Sequence, residues 1–262
     1  QRQTAYQVLV ASSRELLDKE QGDLWDSGQV HSDESVHIVY DGKTLITGQK
    51  CFWKVRLADE QGNWTSWSEP AYWQMGLFAD DWSAHWIGSA EMESQSVGGR
   101  PVDNKMFDPW FRKTFTLTES LKEALIYVAS IGYHELYVNG CKIGNAVLAP
   151  SVTDHKSRAR YVTYDISHYL KKGENVIALW LGTSWAVFPA YQRNDKPAIP
   201  MALAQAEITL TSGSKVRVIT DGSWKTHASP NVLMGYWDAH HFAGEFYDAS
   251  LEINGWIEAG FD

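Results

Sequence analysis

Cysteine is almost absent, with only 2 in 262 residues. Cys51 and Cys141 fall in what read as different domains, so two separately buried thiols are expected rather than a disulfide. No run of about 18 apolar residues exists, and no membrane span is expected. Positive charge is short as well: 23 Lys and Arg face 32 Asp and Glu, for a net charge of −9. That balance argues against a nucleic-acid binder, which needs a basic patch to track phosphates. The familiar catalytic signatures are missing. There is no Gly-rich phosphate loop, no Cys-x-x-Cys, no His-Glu-x-x-His and no Gly-x-Ser-x-Gly elbow. Ser, His and Asp are plentiful, yet no spacing selects a triad. The opposed carboxylates of a glycosidase are a matter of separation in space, which spacing in sequence does not encode. Internal repeats, low-complexity tracts and long amphipathic helices are also lacking. No signal peptide is visible, and the opening at Gln1 on a strand approach reads as a fragment or processed start.

What the chain has is aromatics: 13 Trp and 12 Tyr. Most are expected to plug β-sandwich cores. A few could serve as sugar platforms, because a pyranose presents an apolar C–H face that a flat ring covers at little entropic cost. Strand signals dominate from the start. Tyr6–Ala11 (YQVLVA) is a first strand, and Ser12–Lys19 is a marginal helix of barely two turns with Ser12 or Ser13 as N-cap. A turn at 24–28, a short strand at His37–Tyr40 and a turn at Asp41-Gly42 follow. In 51–57 the residues alternate: Cys51, Trp53, Val55 and Leu57 face one way, Lys54 and Arg56 the other. Tyr72–Met75 closes the region. Seven or so short strands at this spacing predict an immunoglobulin-like sandwich. Residues 78–88 form a junction, and 91–104 read as a polar, Gly-rich, mobile segment.

The most informative stretch runs from Ile131 to Trp185. It reads as two strand pairs around one polar loop. Tyr133–Val138 ends in Asn139-Gly140, a strong hairpin signal because both turn positions need φ > 0. Arg160–Ile166 is a second strand. Val176–Leu181 (VIALWL) is apolar throughout and suits a strand buried on both faces. Further strands are expected at Trp110–Leu117, Ala124–Ala129, Met201–Leu210 and Lys215–Thr220, with 221–230 as loop and Gly244–Ala249 entering a last strand. In such a frame the loops make the site. Asp154-His155 is either a solvated turn or a pair that accepts from sugar hydroxyls. Trp185 is either a plug at the sandwich end or a sugar contact. Tyr191 lies in the long irregular stretch 186–200, and loops of that length are usually functional or disordered. Trp237 and Asp238 lie in an aromatic segment before the last strand. Trp180, Tyr133 and Tyr137 read as packing residues. Asp238, His240, His241 and Glu245 meet no standard zinc spacing. Asp154 and Asp165 could offer hard oxygens to calcium, although Asp165 reads better as the cap of its strand.

Several motifs carry a resemblance. The segment WKVRLADEQGNWTSWSEPAYW looks like the end of a fibronectin type III domain, and Trp64–Ser68 is similar to the Trp-Ser-x-Trp-Ser box of cytokine receptors. Asn63-Trp64-Thr65 has the form of an N-glycosylation acceptor. Tyr-Val-Asn-Gly at 137–140, Thr-Tyr-Asp-Ile-Ser at 163–167 and Leu-Lys-Lys-Gly-Glu-Asn-Val-Ile at 170–177 resemble the galactose-binding-like jelly rolls of glycoside hydrolases. More narrowly, they resemble the N-terminal region of bacterial α-L-rhamnosidases. The flanks agree: Gly22–Gly28, Trp53–Arg56, Trp67–Pro70 and Trp82–Gly88 before, Gly244–Ala249 after.

The resemblance implies an all-β chain. A fibronectin III-like sandwich (1–77) leads through a junction (78–90) into a carbohydrate-binding-like jelly roll (91–262). It implies a glycosidase parent whose hydrolysis is done by an (α/α)₆ barrel further along, and so no catalytic residue here. Members that bind rhamnose with calcium on this jelly roll suggest Asp154, His155 and Trp185 as sugar contacts. Departures stand at Val152, where the family usually has Trp, and at Thr183-Ser184 before Trp185. The expected partners are a rhamnose-containing glycan and the C-terminal catalytic domain, in a periplasmic or extracellular setting. Two rival readings remain: sandwiches that only cap the barrel, or an adhesion-type module.

Overall fold

The computed structural model describes residues 2–89, 105–155, 157–183, 199–234 and 244–261. It divides into two compact units, Gln1–Trp82 and Ser83–Asp262. Both are built from antiparallel strands, as the aromatic and β-branched content requires.

The first unit holds one four-stranded sheet. Its strands are β1 (Ala5–Ala11), β2 (Trp25–Asp26), β3 (Lys50–Ala58) and β4 (Ala71–Gln74), in the order β2-β1-β3-β4. A short helix, α1 (Arg14–Asp18), follows β1; Ser13 caps it by accepting from the Leu16 N–H at 3.3 Å. Both faces of the sheet are covered. Leu9, Ala11 and Leu17 pack with Phe52 and Trp67 on one side, and Val10, Leu24 and Cys51 with Trp25, Tyr40, Trp53 and Trp73 on the other.

Three expectations need correction in this unit. The alternation in β3 assigns Lys54 to solvent and Leu57 to the core, yet Lys54 is only 6% exposed and Leu57 is 37% exposed. The reason lies in Trp64 and Trp67, which pave the polar face. The Lys54 ammonium sits 5.0 Å from the Trp67 ring centre, and the Arg56 guanidinium 4.6 Å from Trp67 and 5.0 Å from Trp64. Residues 37–40 form no strand. His37 has φ 59°, and the Tyr40 hydroxyl donates to the Lys43 carbonyl at 2.8 Å and the Leu24 carbonyl at 3.2 Å. Tyr40 is thus a plug, edge-on to both Trp25 and Trp73. Four strands stand where seven or so were expected, supplemented by the single bridges Tyr6–Val30 and Ala58–Trp64.

The second unit packs two sheets face to face. It contains β5 (Ile87–Gly88), β6 (Lys105–Leu117), β7 (Leu121–Ile131), β8 (Tyr133–Val138), β9 (Cys141–Lys142), β10 (Tyr161–Asp165), β11 (Gly173–Gly182), β12 (Met201–Leu210), β13 (Lys215–Ile219), β14 (Lys225–Met234) and β15 (Gly244–Tyr247). One sheet runs β15-β14-β6-β11-β8-β9; the other runs β10-β7-β12-β13, with β5 also paired to β12. Alternate residues of each strand meet in one core, including Phe111, Leu136, Ile177, Leu179 and Leu181 from the first sheet and Ile126, Val128, Ala204 and Ile208 from the second. Asn139 and Gly140 take φ 49° and 84°, the primed turn their dipeptide predicts. Strand β11 is buried on both faces as expected.

The hairpin reading of 131–185 changes in one respect. β8 pairs with β11, but β10 crosses to the other sheet and pairs with β7. β14 begins inside the stretch expected as loop; the register shift between Ala228 and Val232 accommodates Pro230. Cys51 is a buried free thiol, but Cys141 is exposed, because it lies on the two-residue edge strand β9.

Candidate functional site: the loop end of the jelly roll

Strand register decides where the long connections leave the second unit. β7 ends opposite the start of β12 (Ile131 with Met201), and β8 begins opposite the end of β11 (Tyr133 with Gly182). The chain from Ile143 runs back along β8, from a hydrogen bond to the Leu136 carbonyl to one between His134 N–H and the Ala149 carbonyl (2.8 Å). β10 then starts opposite Ala129, near the same end of β7. β14 and β15 join beyond the Met234–Gly244 pair, level with the start of β6 at Lys105. The roots of the connections 143–160, 184–198 and 235–243 therefore gather at one end of the sandwich. Only glycine fits where the β7–β8 turn meets this end: Gly132 has φ 97°, and an added Cβ would lie 2.2 Å from the Gly182 carbonyl oxygen.

The Asp154 loop closes on itself. The Asp154 carbonyl accepts from the Ser157 and Arg158 N–H groups at 2.9 and 3.0 Å, and its carboxylate accepts from the Ser157 hydroxyl at 3.0 Å. Thr153 donates to the Arg158 carbonyl at 2.7 Å. Asp154 is exposed and His155 half-buried. Burial holds the His155 imidazole below its ordinary range, with the Asp154 charge pulling the other way.

Two buried polar side chains stiffen this end. His134 lies on β8 beneath the Ala149 anchor. Its Nδ1 is 2.9 Å from the Ser130 hydroxyl, and its Nε2 is 2.9 Å from the Tyr164 hydroxyl. Ser130 donates its proton to the Gly132 carbonyl (3.1 Å), which assigns the imidazole hydrogen to Nδ1 and leaves Nε2 to accept from Tyr164. Burial pushes the imidazole down to about 4. Asp108, on β6, is 2% exposed. It accepts from the Thr183 N–H at 2.7 Å, from the Thr183 hydroxyl and from the Asn231 amide. Burial pushes its carboxyl up to about 6 against those hydrogen bonds, and the Glu245 charge adds to the rise. Asp108 thus ties the end of β11 to the irregular stretch of β14.

Among the sequence candidates, Asp154 and His155 sit together on the loop just described. Trp185, Tyr191, Trp237 and Asp238 lie outside the described residues, as do His240, His241 and the segment 91–104. Among the described residues, no three His, Cys, Asp or Glu side chains gather in metal-binding position. Asp165 ends β10 and accepts from the Ser167 N–H at 2.9 Å, as its capping role predicts. His134 and Asp108 escaped the sequence reading. Each is a lone polar residue in an apolar strand, and only the pairing of distant strands supplies its partners.

Comparison with known proteins agrees with this architecture. The family described as alpha-L-rhamnosidase N-terminal domain matches residues 119–262, and the Rha78A-like N-terminal immunoglobulin domain matches residues 1–79. A curated alpha-L-rhamnosidase of Formosa agariphila is 34% identical over 268 residues, which cover 99% of this chain and 28% of that protein. The structure of the alpha-L-rhamnosidase from Dictyoglumus thermophilum is 36% identical with a TM-score of 0.85, covering 100% of this chain and 29% of that one. That of the Streptomyces avermitilis alpha-L-rhamnosidase complexed with L-rhamnose, at 22% identity and TM-score 0.77, covers 100% and 40% and shows the shared fold alone. The chain thus spans under a third of the length of the first two relatives. The family match and the architecture together establish that the chain belongs to the alpha-L-rhamnosidase N-terminal domain family.

Proposed function

We propose that this chain serves an alpha-L-rhamnosidase as its non-catalytic N-terminal region, and that the loop end of the jelly roll binds a sugar of a rhamnose-containing glycan. The observation that carries this reading is the gathering of three connections at one end of a rigid double sheet. One of them presents the exposed Asp154 carboxylate beside His155. A carboxylate accepts two hydroxyl hydrogen bonds in the geometry that vicinal sugar hydroxyls offer, and charged acceptors make the stronger bonds. Trp185, Tyr191, Trp237 and Asp238 belong to the two other connections and would add aromatic and acidic contacts. Hydrolysis falls to a helical barrel in the remainder of the parent enzyme. The chain supports the catalytic domain of the parent enzyme.

Titration calorimetry of this chain with L-rhamnose tests the binding, with EDTA or calcium chloride as separate arms. Heat of binding is expected with wild type and not with Asp154→Ala or Trp185→Ala. Absence of heat at millimolar rhamnose in both arms would overturn the sugar-binding role and leave the supporting one. Binding in the calcium arm alone would assign a metal that Asp154 and its neighbours do not supply by themselves.

A further inference from the structure

A second feature lies on the outer face of the six-stranded sheet, away from the loop end. The final residues cross this face. Gly140 N–H donates to the Ile257 carbonyl at 2.8 Å, and the Arg112 guanidinium donates to the carbonyls of Glu258 (3.1 Å) and Phe261 (2.5 Å). Trp256 stacks on Trp110 with centroids 4.4 Å apart and planes at 15°, and Tyr137 meets Trp256 edge-on. Between this segment and strands β6 and β14 remains a cavity of about 290 Å³, walled by Trp110, Arg112, Lys225, Thr226, Trp256 and Phe261.

Three properties of these walls converge. The surface is largely aromatic, so it suits a flat apolar face. One polar atom in it has no hydrogen-bond partner among the described residues: the Trp110 indole N–H, in a residue 5% exposed. Buried polar groups are nearly always paired, and an unpaired one costs on the order of 1–3 kcal/mol. The Trp110 N–H in the lining of this cavity therefore marks a place for an occupant with a hydroxyl. The third property is charge. In a chain of net −9, the described residues that line the cavity include Arg112, Lys225 and His227 and no acid. Arg112 is held by the carbonyls, and among the described lining residues this leaves the exposed Lys225 ammonium as the cation open to a ligand.

We infer that this cavity binds a pyranose bearing a carboxylate, a uronic acid unit of a glycan. The C–H face of the ring lies against Trp256 and Phe261. A ring hydroxyl accepts from the Trp110 N–H. The carboxylate meets Lys225. The site stands apart from the loop end and does not depend on sugar binding there.

Titration of the full chain with D-glucuronate, and with D-glucose as the neutral control, tests the assignment. Glucuronate is expected to bind and glucose to bind about tenfold more weakly, because one charge-assisted hydrogen bond is lost. Lys225→Gln, at an exposed position, is expected to erase that preference. Trp256→Ala is expected to abolish binding of both sugars, and Asp154→Ala to leave glucuronate binding unchanged. Equal affinity for the two sugars in wild type, or no heat with glucuronate, overturns the inference. Loss of glucuronate binding in Asp154→Ala overturns it as well, since the ligand would then sit at the loop end.

Discussion

The two units bury their side chains in opposite ways. The second gathers twenty buried residues, mostly aliphatic, into one cluster between two sheets. The first has a single sheet with three buried residues on each face, and makes up the rest with half-buried aromatics. Aliphatic packing scales with area and excludes charge. A thin aromatic cover admits the stems of long cationic side chains, as Lys54 and Arg56 show beneath Trp64 and Trp67. The same contrast governs the polar groups. In the second unit, Asp108 and His134 have their charge suppressed, by a raised carboxyl and a lowered imidazole, while Arg112 lies on the outer face of the sheet against the Phe261 ring. In the first, the long basic side chains Lys54 and Arg56 lie against ring faces.

The sharpest way to break the comparison is to cut into the aliphatic core. Leu179 is fully buried on β11, opposite Phe111 on one side and Leu136 on the other. Leu179→Ala removes methyl groups that a rigid double sheet has little means to replace, so it should cost about 2–5 kcal/mol. Hydrogen exchange of the β11 amides reads this loss for the second unit alone. A loss below about 1 kcal/mol would mean that the sandwich collapses onto the gap and is no stiffer than the first unit.

The suppressed charges give the next largest effect, and their signs oppose. The Asp108 carboxyl is raised from its ordinary 3.8 to about 6 in the folded chain. Its contribution is therefore fully present below about pH 4 and is lost as pH rises through 6. The His134 imidazole is lowered from 6.5 to about 4. Its contribution is present above pH 6.5 and is lost as pH falls through 4. Over pH 4–6.5 the two slopes nearly cancel. Measured against Asp108→Asn, the stability of wild type should fall by about 2–3 kcal/mol between pH 4 and 7. Against His134→Gln it should rise by a similar amount over the same range. Denaturant unfolding at several pH values gives both differences, and two slopes of the same sign would refute the opposition.

These groups also mark where sequence reading stops. The strands of the second unit are plain in the sequence, because VIALWL, Asn139-Gly140 and the Met201–Thr220 hairpin each carry a local signal of period or turn. The all-β class is legible for the same reason, and the family from the order of the motifs along the chain. Asp108 carries no such signal. Its partners Thr183 and Asn231 are 75 and 123 residues away, and they meet it only because β6 lies between β11 and β14. The placement of β10 in the opposite sheet is hidden for the same reason: Tyr161–Asp165 has a strand composition that suits either neighbour. On the loop end, local composition points to Asp154 and His155 as candidate chemistry on a polar loop, but not to the buried frame beneath them. The Cys141 thiol was misplaced because an apolar residue beside a hairpin reads as core, whereas a two-residue edge strand buries nothing.

Lys54 gives the smallest effect and the finest distinction between the units. Its ammonium lies over Trp67 at 5.0 Å, on the face where Leu9 is its pairing partner in β1. Lys54→Met keeps a flexible stem of similar length and deletes only the charge. If the ring face compensates the ammonium for its lost water, the change should cost about 0.5–2 kcal/mol, the range for a partly desolvated cation–π contact. If burial of the charge is instead a net penalty, as in the second unit, the variant should be more stable than wild type. Thermal unfolding of the two proteins, with Trp67→Leu and the double variant to complete the cycle, separates these outcomes. A coupling energy near zero between positions 54 and 67 would show that the aromatic cover seals the sheet but does not stabilise the cation, and the difference drawn between the two units would reduce to core size alone.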